Sequence, residues 1–110
     1  MVKKTNINAD IKKKVLNFKT LLEKEGIPVY KIIIFGSYAK NKAKKESDID
    51  VCVVSPKFGS DSVEELQYLL KQRRKIDSRI EPFPVSSDEY KNSFSPIIDE
   101  IRKFGKEVRV

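Results

Sequence analysis

The chain has 110 residues, 39% of them apolar and 35% charged, which suits one folded domain with a real core and little room for a second one. It has no histidine and a single cysteine, Cys52, so Ser-His-Asp and Cys-His catalysis, His-ligated zinc and a disulfide framework are all excluded. The formal net charge of +7 favours polyanionic partners, although the lysines are spread along the whole chain as on an ordinary solvated surface.

The first predicted element is a helix over Asn8–Glu25. Ile11, Val15, Phe18 and Leu22 fall at i, i+4, i+7 and i+11, one apolar stripe. Asn8 is placed to cap it, Asp10 suits its positive end, and Gly26 and Pro28 stop it. The N-terminus carries lysines but no apolar run behind them, so no signal peptide is expected, and no segment is long and apolar enough to span a membrane. Val29–Phe35 reads as a buried strand, and Ser37 to about Ala43 as a short helix or helical turn. A second strand follows over Ser47–Val54. Within it Cys52, between valines, is expected to be a buried structural thiol, in keeping with a reducing, cytoplasmic setting.

Ser55–Ser60 is a predicted loop. Asp61–Arg74 is a second long helix, with Val63, Leu66, Leu69 and Leu70 on its inner side. Lys75–Phe83 is a third strand, closed by Pro82 and Pro84. Ser86-Ser87-Asp88-Glu89 starts a short helical segment. Ser95-Pro96 starts the last helix, with Ile97, Ile98, Ile101 and Phe104 as its apolar stripe and Gly105 as its stop. Val108–Val110 is a candidate edge strand. The order predicts an α/β (α+β) fold, a small mixed sheet with helices packed on it, as one domain over residues 1–110.

The chemistry lies between the first two strands. Gly36 lets the backbone turn tightly and a ligand come close, and Ser37 adds a hydroxyl. Ten residues later come Asp48 and Asp50, which share one side of a strand while Ile49 points inward. Two carboxylates at 4 Å repel by about 4 kcal/mol at an effective dielectric of 20, and aspartate is a poor strand former, so the pair calls for a cation. With oxygen ligands alone, that cation is a hard one, Mg²⁺ or Mn²⁺. On the third strand Asp77, Arg79 and Glu81 alternate onto one face. If that strand neighbours Asp48 and Asp50, it completes a carboxylate triad able to support in-line displacement at phosphorus, with one carboxylate as general base.

The pattern Gly36-Ser37-x10-Asp48-Ile49-Asp50, with Ile76-Asp77-Ser78-Arg79-Ile80-Glu81-Pro82 after it, resembles the minimal nucleotidyltransferase branch of the polymerase-β-like nucleotidyltransferase superfamily from about Val29 to Val85. The resemblance implies the fold of that superfamily and a nucleotidyltransferase that moves a nucleoside monophosphate, AMP from ATP being expected, onto a hydroxyl. It implies Mg²⁺ on Asp48, Asp50 and a third carboxylate, with Glu81 favoured over Asp77 because the Ile-Glu-Pro segment carries it. It implies that Gly36 and Ser37 bind the triphosphate. Where relatives often carry Arg after the Gly-Ser pair, this chain has Tyr38-Ala39-Lys40-Asn41, and Lys40 stands in as the basic phosphate contact; at least two of Lys40, Lys42, Lys44 and Lys45 are expected to form only a solvated loop. The resemblance further implies a separately encoded all-helical HEPN protein as partner, this chain being the antitoxin of the pair. Two other classes are weighed beside it: a non-catalytic partner-binding module of the same fold, and a basic nucleic-acid-binding domain, which the scattered lysines and the absence of an aromatic stacking motif disfavour.

Overall fold

The computed structural model describes residues 8–44 and 46–109. Helix α1 spans Ala9–Lys24 and buries Ile11, Val15, Phe18 and Leu22, the stripe that its spacing dictates. The Asn8 side chain accepts from the Asp10 N–H at 2.6 Å, and Gly26 leaves the helix with φ +94°. The N-terminal residues 1–7, Lys45 and Val110 lie outside the described residues, and with them the last position of the candidate Val108–Val110 strand.

Among the described residues four strands form one sheet: β1 (Lys31–Phe35), β2 (Ile49–Ser55), β3 (Ile80–Ser86) and β4 (Lys106–Glu107), in the spatial order β3-β2-β1-β4. β1 runs antiparallel to β2 and β4, and β2 runs parallel to β3. The parallel pair needs a crossover, supplied by α2 (Ser62–Gln72) and a 3₁₀ turn at Arg73–Lys75. Then come α3 (Ser87–Asn92), with a Ser86/Glu89 capping box, and α4 (Pro96–Phe104), capped by Ser95.

Residues alternate between two buried faces. Ile32, Ile34, Ile49, Val51, Val53 and Ile80 meet α1 and Leu69 of α2 on one side. Ile33, Phe35, Cys52, Val54 and Val85 meet Ile98 and Ile101 of α4 on the other. The Cys52 thiol is fully buried, and burial pushes its pKa up to about 12, which makes it inert at neutral pH. No helix among the described residues is long and apolar enough to cross a membrane.

The segment after Gly36 makes turns of helical type, one of the two forms expected of it, with Asn41 at φ +58°. Four expectations are corrected. The edge strand expected at Val108–Val110 lies earlier, as β4 at Lys106–Glu107. β3 begins at Ile80, not Lys75, and runs through both prolines to Ser86. The Ile49 N–H donates to the Arg79 carbonyl at 2.8 Å, so the ladder runs through the odd-numbered residues and leaves Pro82 and Pro84 facing the open edge, where a missing N–H costs nothing. On α2, Val63 and Leu66 are exposed; Leu69 and Gln72 are the residues that face the core. On α4, Ile97 and Phe104 are exposed while Ile98 and Ile101 are buried.

Candidate active site

The turn at Gly36 follows directly from the end of β1. Gly36 has φ +71°, a left-handed conformation that favours glycine. A Cβ built there would run into Oδ2 of Asp50 and stand 3.1 Å from its Cγ. The turn and the carboxylate are therefore in van der Waals contact, and glycine is required on both counts. Beyond it the chain curls as in a first helical turn: Lys40 N–H donates to the Gly36 carbonyl at 3.1 Å and Lys42 N–H to that of Ser37 at 2.8 Å. Such a curl turns its leading N–H groups outward, the arrangement that receives anions. Lys40, Lys42 and Lys44 are all exposed.

Asp50 pairs in register with Phe35 of β1 on one side and with Glu81 of β3 on the other. Asp50 and Glu81 are thus direct neighbours on the sheet face that carries α3 and α4. Asp48 lies just before β2, exposed, two residues from Asp50 and with the same parity. Asp50 is half-buried. Burial first, and then the charges of Asp48, Glu81 and Glu100, push its carboxyl above the ordinary carboxylate range. Glu100, on α4, is a residue that the sequence did not single out; it lies on an amphipathic helix like any solvated glutamate.

The two candidates for third carboxylate part company. Glu81 stands beside Asp50, and Arg73 Nη1 donates to its Oε2 at 3.1 Å and to the Ile80 carbonyl at 2.8 Å. Asp77 lies ahead of β3 rather than on it. Lys14 Nζ donates to its Oδ2 at 2.8 Å, and the Arg79 guanidinium and backbone N–H hold it as well, at 3.0 and 2.8 Å. Those bonds, Arg79's foremost, hold its pKa well below the ordinary range. The expected single face of Asp77, Arg79 and Glu81 does not form, because the first two belong to a turn.

Among the described residues no three acidic side chains stand close enough to be a ready metal cage. The donor set nevertheless fits a hard cation. It is all oxygen, it sits where like charges raise a half-buried carboxyl's proton affinity, and a cation would relieve that repulsion. A cleft of about 620 Å³ opens across the turn, on the α1 side, lined by Asp10, Tyr38, Asn41, Lys44 and Arg79 among others. None of the carboxylates Asp48, Asp50 or Glu81 lines it, so the chemistry is assigned to the carboxylate side of the turn.

Residues 15–109 match the family model of a nucleotidyltransferase domain. A stretch of 52 residues is 44% identical to a provisionally named protein adenylyltransferase of Methanocaldococcus jannaschii, a match that spans 47% of this chain and only 39% of that protein. The fold is shared with a chain of a toxin–antitoxin crystal structure with AMP-PNP, at a TM-score of 0.54 and 22% identity over 89% of this chain and 72% of that one. It is shared equally with a provisionally named nucleotidyltransferase of Sulfolobus solfataricus, at 0.54 and 22% over 80% and 81%. A mutant of the toxin–antitoxin complex MntA–HpeT gives 0.53 and 18% over 89% and 72%.

Proposed function

Because this chain belongs to the nucleotidyltransferase domain family, we propose that it transfers AMP from ATP to a hydroxyl group and releases pyrophosphate. The observation that carries the reading is the junction of Gly36, Asp50 and Glu81: an anion-receiving turn in contact with one carboxylate, which neighbours a second across the sheet. Asp48, Asp50 and Glu81 are the residues that would hold Mg²⁺, with Mn²⁺ as the alternative. Such an ion, when bound, neutralises phosphate charge and lowers the barrier to displacement.

The chain's own residues do the rest. Gly36 and Ser37 receive the triphosphate, and Lys40 supplies a positive charge one turn further on. The acceptor oxygen bonds to the α-phosphorus as the bond from that phosphorus to the bridging oxygen breaks, and the pair leaves with pyrophosphate. The acceptor's proton needs a carboxylate, since there is no histidine. Arg73 holds Oε2 of Glu81, so we assign that proton to Oε1. Glu81 is preferred over Asp77 because Asp77 is already committed to Lys14 and Arg79.

We place the acceptor on a partner polypeptide. A relative that carries the name of a protein adenylyltransferase supports a protein acceptor, and fold neighbours taken from toxin–antitoxin complexes support an antitoxin role; we assign as target a tyrosine of a separately encoded, all-helical HEPN-type toxin. The test is incubation with each labelled nucleoside triphosphate, Mg²⁺ and native lysate, followed by identification of the labelled species. ATP is expected to label one protein. Asp48→Asn and Asp50→Asn are expected to lower the labelling at least about 100-fold with the fold intact. Full labelling by a folded double variant would sink the mechanism.

A further inference from the structure

Lys40 is exposed, yet its side chain has defined company. Its Nζ stands 3.4 Å from Oε2 of Glu100 and 6.0 Å from the centroid of the Phe104 ring. Glu100 and Phe104 are four residues apart on α4 and so lie on one face of it. Lys40 itself stands one turn beyond Gly36, its N–H bonded to the Gly36 carbonyl, so the two residues share one side of the curl. That side is where Asp50 touches Gly36, and Glu100 is among the charges that act on Asp50. Helix α4 therefore packs on the sheet face that carries Asp50 and holds Lys40, a lysine of the adjoining turn.

We propose that Glu100 is a positioning residue that holds Lys40 over the mouth of the site and yields it to the incoming triphosphate. This rests on the nucleotidyl-transfer reading above. A lysine side chain has many rotamers, and ordering it is a cost that binding must otherwise meet. The Glu100 carboxylate and the Phe104 ring meet that cost in advance. The pair is also easily exchanged. Both partners are substantially solvent-exposed, at 41% and 37%, and a pair of that kind is weak. A triphosphate, with several charges and charge-assisted hydrogen bonds, displaces a single screened carboxylate.

The arrangement makes the effect of Glu100 depend on Lys40, which a double-mutant cycle reads directly. The measurement is ATP affinity with Mg²⁺, by titration calorimetry, for the wild type, Glu100→Gln, Lys40→Met and the double variant, with KM and kcat for labelling alongside. Glu100→Gln is expected to weaken ATP binding about two- to fivefold, the change appearing in KM rather than kcat. Lys40→Met is expected to weaken binding, and in that background Glu100→Gln is expected to have no effect. Wild-type binding with an unchanged or tightened affinity for Glu100→Gln overturns the inference, as does an equal shift in the Lys40→Met background; these outcomes leave the transfer reading standing. Failure of the wild type itself to bind any nucleoside triphosphate overturns both.

Discussion

Asp50 illustrates how a residue of the candidate site can cost its own fold. Its pKa is raised above the ordinary 3.8 by burial and by Asp48, Glu81 and Glu100, so ionising it is harder in the folded chain than in the unfolded one. The cost is absent below pH 3.8, grows as the pH rises towards the folded value, and is complete above it. Asp50→Asn is accordingly expected to raise the urea midpoint of the metal-free protein at pH 7 and to lose that advantage at acid pH, while it abolishes transfer. Asp77 has the opposite sign. Its pKa is lowered, so its stabilising contribution is present above 3.8 and is lost as the pH falls through the folded value. Asp77→Asn is expected to cost about 2 kcal/mol at pH 7 and progressively less in strong acid, read from urea curves across pH. At Gly36, Ala would need both a positive φ and the space that Oδ2 of Asp50 occupies. Gly36→Ala is expected to destabilise by about 1–3 kcal/mol and to weaken ATP binding, by chemical denaturation and titration respectively.

The elements show what spacing reveals and what it hides. The α1 stripe was legible in full, because a long helix against a sheet buries one continuous row. The stripes of α2 and α4 were legible only in part. Those helices are short and touch the sheet over a narrow strip, so Leu69, Ile98 and Ile101 are buried while Val63, Leu66, Ile97 and Phe104 stay outside. Leu69→Ala is expected to cost about 2–5 kcal/mol and Val63→Ala less than about 0.5, by thermal or urea denaturation. β3 starts later than its sequence pattern implies for a different reason. Asp77-Ser78-Arg79 alternates polar and charged residues like a strand, yet Asp77 closes on the N–H and guanidinium of Arg79 and makes a turn instead. Glu81 and its place beside Asp50 were legible from the motif. Glu100 was not, because its significance comes only from tertiary proximity to Lys40 and Asp50.

At the scale of the molecule, a net charge of +7 surrounds a local cluster of carboxylates. The global field draws a polyanion in, and the cluster rejects it unless a cation intervenes. Removing divalent ions with a chelator is therefore expected to weaken ATP binding on the order of tenfold or more, measured by calorimetry. The same whole-chain view gives the crossover of β2, α2 and β3 a further meaning. Asp50 and Glu81 become neighbours only when the chain has travelled through α2 and returned. Closing that long connection is slow relative to local contacts, so the paired carboxylates are expected to meet late in folding, after α1 and the β1–β2 pair, in pulsed hydrogen exchange during refolding. β3 is also an edge strand, and Pro82 and Pro84 leave it without two amide hydrogens. Brief detachment of that edge would unmake the site while the rest of the sheet stayed paired. In hydrogen–deuterium exchange, Glu81, Phe83 and Val85 are expected to exchange faster than Ile33 or Cys52, and nucleotide with Mg²⁺ is expected to slow them selectively.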